Sequence, residues 1–86
     1  MKITVVGAGY VGLSNAVLLA RFNDVTVLDV SSARVAMVNA GRAPIVDAEL
    51  EEHLAAGGLS LTATTSRKEA YRDASYVIVA TPTNYD

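Results

Sequence analysis

The sequence contains no cysteine and only one histidine, His53, among its 86 residues. Without cysteine the chain cannot form a disulfide, a thiolate metal site or a cysteine nucleophile. A single histidine cannot form the histidine cluster of a zinc site, and the residues around His53 are typical of a solvated helix. We therefore expect no metal site.

Charged residues are also sparse: they make up 19% of the chain, and the net charge is −2. There is no basic segment, so nucleic acid is not an expected partner, because nucleic-acid binding depends on clustered Lys and Arg. A hydrophobic content of 51% is typical of a globular domain. A chain of this length forms one domain with a modest core. We expect a cytoplasmic location, because no targeting signal is recognisable.

One uncharged stretch raises the alternative of a secretory signal or a membrane span. Residues 3–20 contain no charged side chain, and Lys2 precedes them; this arrangement resembles both kinds of segment. Three glycines and the pair Ser14-Asn15 interrupt the stretch, and no convincing cleavage site follows. A buried strand followed by a buried helix explains the same hydrophobicity. We therefore expect no membrane association.

The most informative segment is Gly7–Gly12, which has the pattern G-x-G-x-x-G. Lys2–Val6 before it is predicted to be a short buried strand, and an apolar helix is predicted at residues 11–22. A second predicted strand, Val25–Leu28, ends on Asp29. Strand, glycine turn, helix, strand and acid in this order form the dinucleotide-binding fingerprint.

Each part of the fingerprint has a physical role. Gly7 permits the tight turn out of the strand, Gly9 lets a pyrophosphate approach the backbone, and Gly12 lets the helix pack closely on the sheet. The helix N-terminus offers free N–H groups and a partial positive charge to the phosphates. Asp29 lies where a carboxylate can accept hydrogen bonds from a ribose. The alternative is a tight strand-to-helix turn that binds no ligand.

The rest of the chain continues the alternation of helices and strands. The predicted elements are a helix capped by Ser31 or Ser32 and closed by Gly41, a helix from Asp47 to Gly57, a strand at Leu59–Thr62, a helix from its cap Ser66 to about Asp73, and a strand at Tyr76–Ala80. This alternation predicts an α/β fold with a Rossmann-like parallel sheet, strand order 3-2-1-4 and helices on both faces. That is the first βαβαβ half plus one strand, so residues 1–86 are expected to form a truncated NAD-binding domain.

The fourth predicted strand lies at an edge of this sheet. Residues 76–80 are apolar throughout and contain no charge and no proline. Such an edge is a template for pairing with another chain. We therefore expect a homodimer or higher assembly, with Val77, Ile78 and Val79 at or near the contact. The alternative is a monomer with a frayed fourth strand.

Two segments of the chain are far more specific than the glycines alone. The glycine turn reads G-Y-V-G-L, and the last apolar strand leads into A-T-P-T-N-Y. With these segments, the whole chain resembles the N-terminal domain of UDP-glucose 6-dehydrogenases, within the UDP-glucose/GDP-mannose dehydrogenase family. The matching segments, in chain order, are Met1–Ser14, Leu28–Asp29, Ala43–Asp47, Ala63–Thr65, Ala70–Ala74 and Val77–Tyr85.

The resemblance implies NAD as the cofactor and assigns part of its site. The matching positions are Gly7, Gly9, Tyr10, Val11, Gly12, Asp29, Arg34, Thr81, Pro82 and Thr83. Tyr10 and Val11 supply backbone at the helix start, and Arg34 is the basic residue beside the ribose acid. Arg34 could instead be a solvated helix residue or a contact for a 2′-phosphate. Residues 81–83 match the loop that borders the cofactor, although Thr83 could be only a turn residue.

The resemblance also implies what a full-length member does. Such enzymes oxidise the C6 alcohol of UDP-glucose twice, with two NAD, and use a cysteine thiolate assisted by lysine, asparagine and aspartate. None of those positions is present here, so we expect no catalytic residue and only weak binding of NAD or an adenine nucleotide. One alternative is a minimal Rossmann-type scaffold that binds nothing measurable. Another is the cofactor half of a dehydrogenase for GDP-mannose or a UDP-N-acetylhexosamine.

Overall fold

The computed structural model describes residues 1–7, 9–43 and 48–79. Its helices and strands are β1 (Lys2–Val6), α1 (Tyr10–Leu19), β2 (Asp24–Leu28), α2 (Ser32–Asn39), α3 (Ala48–Ala56), β3 (Leu61–Thr64), α4 (Arg67–Tyr71) and β4 (Tyr76–Val79). The strands of these ranges pair in parallel, in the order β3-β2-β1-β4. The predicted α/β fold and strand order are therefore confirmed. The predicted helix cap Asp47 and the last residue of the predicted fourth strand, Ala80, lie outside the described residues.

The hydrophobic core lies on one face of the sheet, beneath α1, α2 and α3. Alternate side chains of the two central strands point to this face. The buried core residues are Ile3, Val5, Leu13, Ala16, Val17, Ala20, Val25, Val27, Val38, Ala43, Leu50, Leu54 and Ala63. On the opposite face the hydroxyl of Thr4 donates to the carbonyl of Ala70 in α4. Helices therefore cover both faces, as predicted.

Helix α1 is shorter than the predicted helix, which extended to Phe22. Asn23 ends it, because the backbone and side-chain amides of Asn23 both donate to the carbonyl of Leu19, at 3.1 and 3.2 Å. The uncharged stretch thus divides into β1, a glycine turn and a ten-residue helix. Within the described ranges, every helix is too short or too polar to cross a membrane.

Strand β3 lies two residues further along the chain than the predicted strand, Leu59–Thr62. Its bounds follow the neighbouring strand. The amide of Val25 donates to the carbonyl of Ser60 at 2.8 Å, and the amide of Asp29 donates to that of Thr64 at 3.1 Å. Because this ladder runs the full length of β2, it carries β3 as far as Thr64.

Serine side chains begin two of the helices, as the sequence predicts. The hydroxyl of Ser31 accepts from the amide of Arg34, and the hydroxyl of Ser66 accepts from the amide of Glu69, both at 3.3 Å. Each satisfies one of the free amides of a helix N-terminus. The amide of Ser66 itself donates to the hydroxyl of Thr64 at 3.0 Å, so it does not complete a capping box with Glu69.

Candidate cofactor site

Three strands end side by side at the carboxyl edge of the sheet. Val6 at the end of β1 pairs with Leu28 of β2 and with Val79 of β4. The next residue, Gly7, donates its amide to the carbonyl of Leu28 at 2.7 Å. Gly7 and Asp29 therefore leave neighbouring strands at the same edge. Ligands of open parallel sheets bind outside this edge, where the strand order reverses, here between β1 and β4.

The glycine turn leaves open space beside the backbone. Gly7 has φ of 104°, which side chains other than glycine rarely adopt. Gly9 is different, because its φ of −71° and ψ of −178° are open to any residue. A Cβ placed on Gly9 would have no atom of the described residues within 4 Å, apart from its chain neighbours. The packing of the described residues therefore does not require glycine at this position, whereas a ligand that approaches the backbone would.

The N-terminus of α1 faces this space with backbone amides that have no acceptor within the helix. Gly9 is its N-cap and makes no side-chain capping bond, and the first turn contains no acidic residue. The first bond within the helix runs from the amide of Leu13 to the carbonyl of Gly9, at 2.8 Å. The amides of Tyr10, Val11 and Gly12 therefore have no acceptor within the helix. With the helix dipole they favour an anion at this end.

The carboxylate of Asp29 is held in place by the loop that follows β2. Asp29 is only 8% exposed. One carboxylate oxygen accepts from the amide of Ser31 at 2.8 Å, and the other lies 3.8 Å from the guanidinium of Arg34. Ser31 in turn caps α2. The loop thus fixes the orientation of the acid before any ligand arrives.

The two ends of the site differ in charge, as a dinucleotide requires. The helix N-terminus offers partial positive charge, whereas Asp29 offers a buried carboxylate that solvent screens poorly. Arg34 is half-exposed on a flexible side chain, so it does not fix the charge of the site in the same way. The arrangement suits a diphosphate at α1 and neutral hydroxyl groups at Asp29. In the described ranges no group of three or more acidic, His or Cys side chains could hold a metal ion.

Not every residue of the predicted site lies within the described part of the structure. Thr81, Pro82 and Thr83 lie outside the described residues, and Tyr10 is described only as the start of α1. Val30, which is not among the predicted site residues, follows Asp29 directly, and its side chain is almost fully exposed. An apolar residue between a strand-terminal acid and a helix cap is the signal that could have identified it.

The sequence model of the UDP-glucose/GDP-mannose dehydrogenase family, NAD binding domain, matches residues 1–86. A UDP-glucose 6-dehydrogenase of Streptococcus pneumoniae is 46% identical over 86 residues, which are all of this chain and 22% of that protein. A GDP-mannose 6-dehydrogenase of Pseudomonas aeruginosa is 40% identical over 87 residues, covering 95% of this chain and 20% of that protein. The chain spans about a fifth of the length of these curated relatives.

Solved structures show the same likeness. A GDP-mannose dehydrogenase from Pseudomonas aeruginosa, solved as a ternary complex, has a TM-score of 0.88 and 35% identity, and the match covers all of this chain and 20% of that one. A UDP-glucose dehydrogenase from the archaeon Pyrobaculum islandicum has a TM-score of 0.81 and 32% identity, over 92% of this chain and 19% of that one.

Proposed function

The chain belongs to the UDP-glucose/GDP-mannose dehydrogenase family, whose NAD-binding domain its sequence matches, and we propose that it binds NAD at the carboxyl edge of the sheet. The observation that carries the proposal is Gly9, because contacts among residues 1–7, 9–43 and 48–79 do not require a glycine there. Open space there lies against the uncapped N-terminus of α1, which is where a pyrophosphate would be bound.

The backbone amides at the start of α1 and the side chain of Asp29 would contact different parts of NAD. The amides of Tyr10 and Val11 donate to the pyrophosphate, and buried Gly12 lets α1 lie close to the sheet. Asp29 accepts hydrogen bonds from the adenosine ribose, in the orientation that Ser31 imposes. When bound, the nicotinamide ring supplies the hydride acceptor of the family's oxidation chemistry.

The adenine end of the site would be formed by two further residues. Val30 offers an exposed apolar side chain next to the ribose acid, on which an adenine ring can pack. Arg34 holds its guanidinium near the carboxylate of Asp29 and can lie along the ribose or the adenine. These contacts involve only the adenosine diphosphate half of the cofactor. We therefore expect ADP-ribose to bind about as well as NAD, whereas nicotinamide mononucleotide binds much more weakly.

Substitution at Gly9 tests the site directly. In Gly9→Val, a branched side chain would extend into the space proposed for the pyrophosphate, from a Cβ that meets no described residue apart from its chain neighbours. We expect calorimetric titration to show loss of NAD binding, with the circular dichroism spectrum and melting temperature close to those of the unmodified chain. Gly9→Ala is the matched control and should weaken binding less. NAD affinity that Gly9→Val leaves unchanged would refute the proposed site.

The buried carboxylate should also select the cofactor. An additional 2′-phosphate would lie beside the charge of Asp29, and like charges at close range in a poorly solvated site repel. We expect NADP to bind roughly tenfold or more weakly than NAD, a difference of about 1.4 kcal/mol. Asp29→Asn, which keeps an acceptor for Ser31, should reduce that preference. Equal or tighter NADP binding by the unmodified chain would instead make Arg34 a phosphate ligand.

For a full-length protein carrying this domain, we propose oxidation of the C6 alcohol of UDP-glucose to the carboxylate, with two NAD. The support is the similarity to UDP-glucose 6-dehydrogenases at 46% and 41% identity. GDP-mannose is the second candidate substrate, because GDP-mannose 6-dehydrogenases are 40–42% identical. NADH formation with each nucleotide sugar, followed at 340 nm, separates the two. The chain of 86 residues alone should form no NADH with either.

We also propose a cytoplasmic location, which cell fractionation tests.

We propose that a second copy of the chain pairs with β4. In support, β4 is the outermost of the described strands on its side of the sheet, and the side chains of Tyr76, Val77 and Val79 are exposed. Sedimentation over a range of concentrations measures this pairing.

A further inference from the structure

The carboxyl-terminal end of α2 is bound to strand β3 by the side chain of its last residue, Asn39. The nitrogen of this carboxamide donates to the carbonyl of Ala63 at 3.0 Å, and its oxygen accepts from the amide of the same residue at 2.8 Å. A carboxamide offers a donor and an acceptor side by side on one planar group. The two bonds therefore fix both the position and the orientation of this end of the helix relative to β3.

Helix α2 depends on such contacts for its position. It has eight residues, and a helix of this length is marginal in water by itself. Val38 is its one buried residue, and Val35 packs against the core as a partly buried side chain. The bonds from Asn39 therefore supply a large part of what holds the helix in place on the sheet.

The other end of α2 holds the carboxylate of Asp29. The N-cap residue Ser31 donates its amide to one carboxylate oxygen at 2.8 Å. The guanidinium of Arg34, in the first turn of the helix, lies 3.8 Å from the other oxygen. Both groups belong to the helix or its cap, so a shift of α2 would move both of them relative to the acid.

Strand β3 holds the backbone of the same acid. The amide of Asp29 donates to the carbonyl of Thr64 at 3.1 Å, and Thr64 follows Ala63 directly in β3. Asp29 is thus linked to β3 through its backbone and to the start of α2 through its side chain. Because Asn39 links the end of α2 back to β3, these contacts form a closed ring around the acid.

We infer that Asn39 is a positioning residue for the adenosine ribose, because it fixes the helix whose cap orients the carboxylate of Asp29. The inference rests on the proposed binding of NAD. A hydrogen bond weakens steeply when its angle departs from linearity, so a carboxylate that meets a ribose hydroxyl needs a fixed orientation. Asn39 acts through Ser31 and Arg34 and does not itself touch the cofactor.

Two nucleotides that differ by one hydroxyl group test the inference. ADP and 2′-deoxy-ADP both present a diphosphate to the N-terminus of α1, but only ADP offers a 2′-hydroxyl to Asp29. NMR titration of the unmodified chain should show at least roughly tenfold tighter binding of ADP, because the hydroxyl donates to a charged group. In Asn39→Ala this ratio should fall to about threefold or less, because the carboxylate is no longer held in one orientation.

The ratio separates positioning of the acid from a general loss of stability. A variant that is only less stable weakens both nucleotides equally and keeps the ratio. Asn23→Ala is the matched control, because it also removes an asparagine bond to a backbone carbonyl, but at the end of α1. It should keep the ratio of the unmodified chain. Folded Asn39→Ala with an unchanged ratio overturns the inference.

The double variant with Asp29→Ala tests whether Asn39 acts through the acid. Asn39→Ala should reduce ADP affinity less in the background of Asp29→Ala than in the unmodified chain, because residues that act through one another are not additive. An equal reduction in both backgrounds would show that Asn39 affects binding by another route, and would contradict the inference.

Hydrogen exchange without ligand separates this inference from the proposed function. The amide of Ser31 reports on the bond to Asp29. It should exchange at least roughly threefold faster in Asn39→Ala, and at the unmodified rate in Asn23→Ala. If the unmodified chain binds neither nucleotide, the proposed function fails, and the support of Asp29 by Asn39 stands or falls on this exchange rate alone. Unchanged exchange of Ser31 in folded Asn39→Ala overturns it.

Discussion

Strands β1 and β4 are hydrogen-bonded neighbours, yet their side chains have opposite surroundings. In paired positions, Ile3 is 5% exposed and Tyr76 60%, and Thr4 is 0% exposed and Val77 46%. A polar threonine is thus buried while its valine partner is exposed. Among the described strands, β1 has a neighbour on each side, whereas β4 has a neighbour on one side only. Position in the strand order therefore decides burial here, and hydropathy does not.

The largest expected change in the free energy of unfolding comes from shortening one valine in each of these two strands. Val5→Ala removes two methyl groups from a fully buried position and leaves a cavity, and should lower the free energy of unfolding by about 2–3 kcal/mol. Val79→Ala, at an exposed position, should change it by less than about 0.5 kcal/mol. Urea unfolding of dilute protein measures both. Similar losses from the two variants would contradict the comparison.

A second test of the comparison between β1 and β4 substitutes the paired residues Thr4 and Val77. Thr4→Val keeps the shape of the side chain but removes the hydroxyl that donates to Ala70, and leaves a buried carbonyl without that partner. We expect a loss of about 1–2 kcal/mol. The reverse change, Val77→Thr, should be within about 0.5 kcal/mol of neutral. Thermal unfolding distinguishes them, and a stabilising Thr4→Val would show that the hydroxyl has no structural role.

The smallest expected effect lies in the turn that leads into β4. Arg72 has φ of −61° and ψ of 122°, Asp73 has φ of 57°, and the amide of Ala74 donates to the carbonyl of Tyr71 at 3.2 Å. This is a type II turn, whose third residue favours glycine. Asp73→Gly should therefore stabilise the chain by about 0.5 kcal/mol. Arg72→Gly is the control and should lower the melting temperature; a decrease for Asp73→Gly would contradict this assignment.

Local sequence patterns predicted the fold, and they also singled out the glycine turn and Asp29 of the candidate site. Ser31 and Ser66 were identifiable from the sequence as helix caps. In the structure each serine hydroxyl accepts from the amide three residues further along. The glycine turn and Asp29 were identifiable because a strand precedes each of them. The ends of α1 and β3 were placed wrongly. The bonds from Asn23 to Leu19 lie at the end of α1, and the ladder to β2 sets the bounds of β3. Neither contact is visible in hydrophobic periodicity.

The sequence by itself determined the order of the elements, the glycine turn and the acid at the end of β2, because these depend on residues a few positions apart. Tertiary structure alone decided which residues those elements meet. The bond from Thr4 joins residues 66 positions apart, and the bonds from Asn39 join residues 24 positions apart. The burial of Thr4 and the covering of the Ala63 backbone both depend on such distant partners. Side-chain periodicity assigns a residue to a face of its own element, but only the assembled sheet determines whether that face or edge is covered.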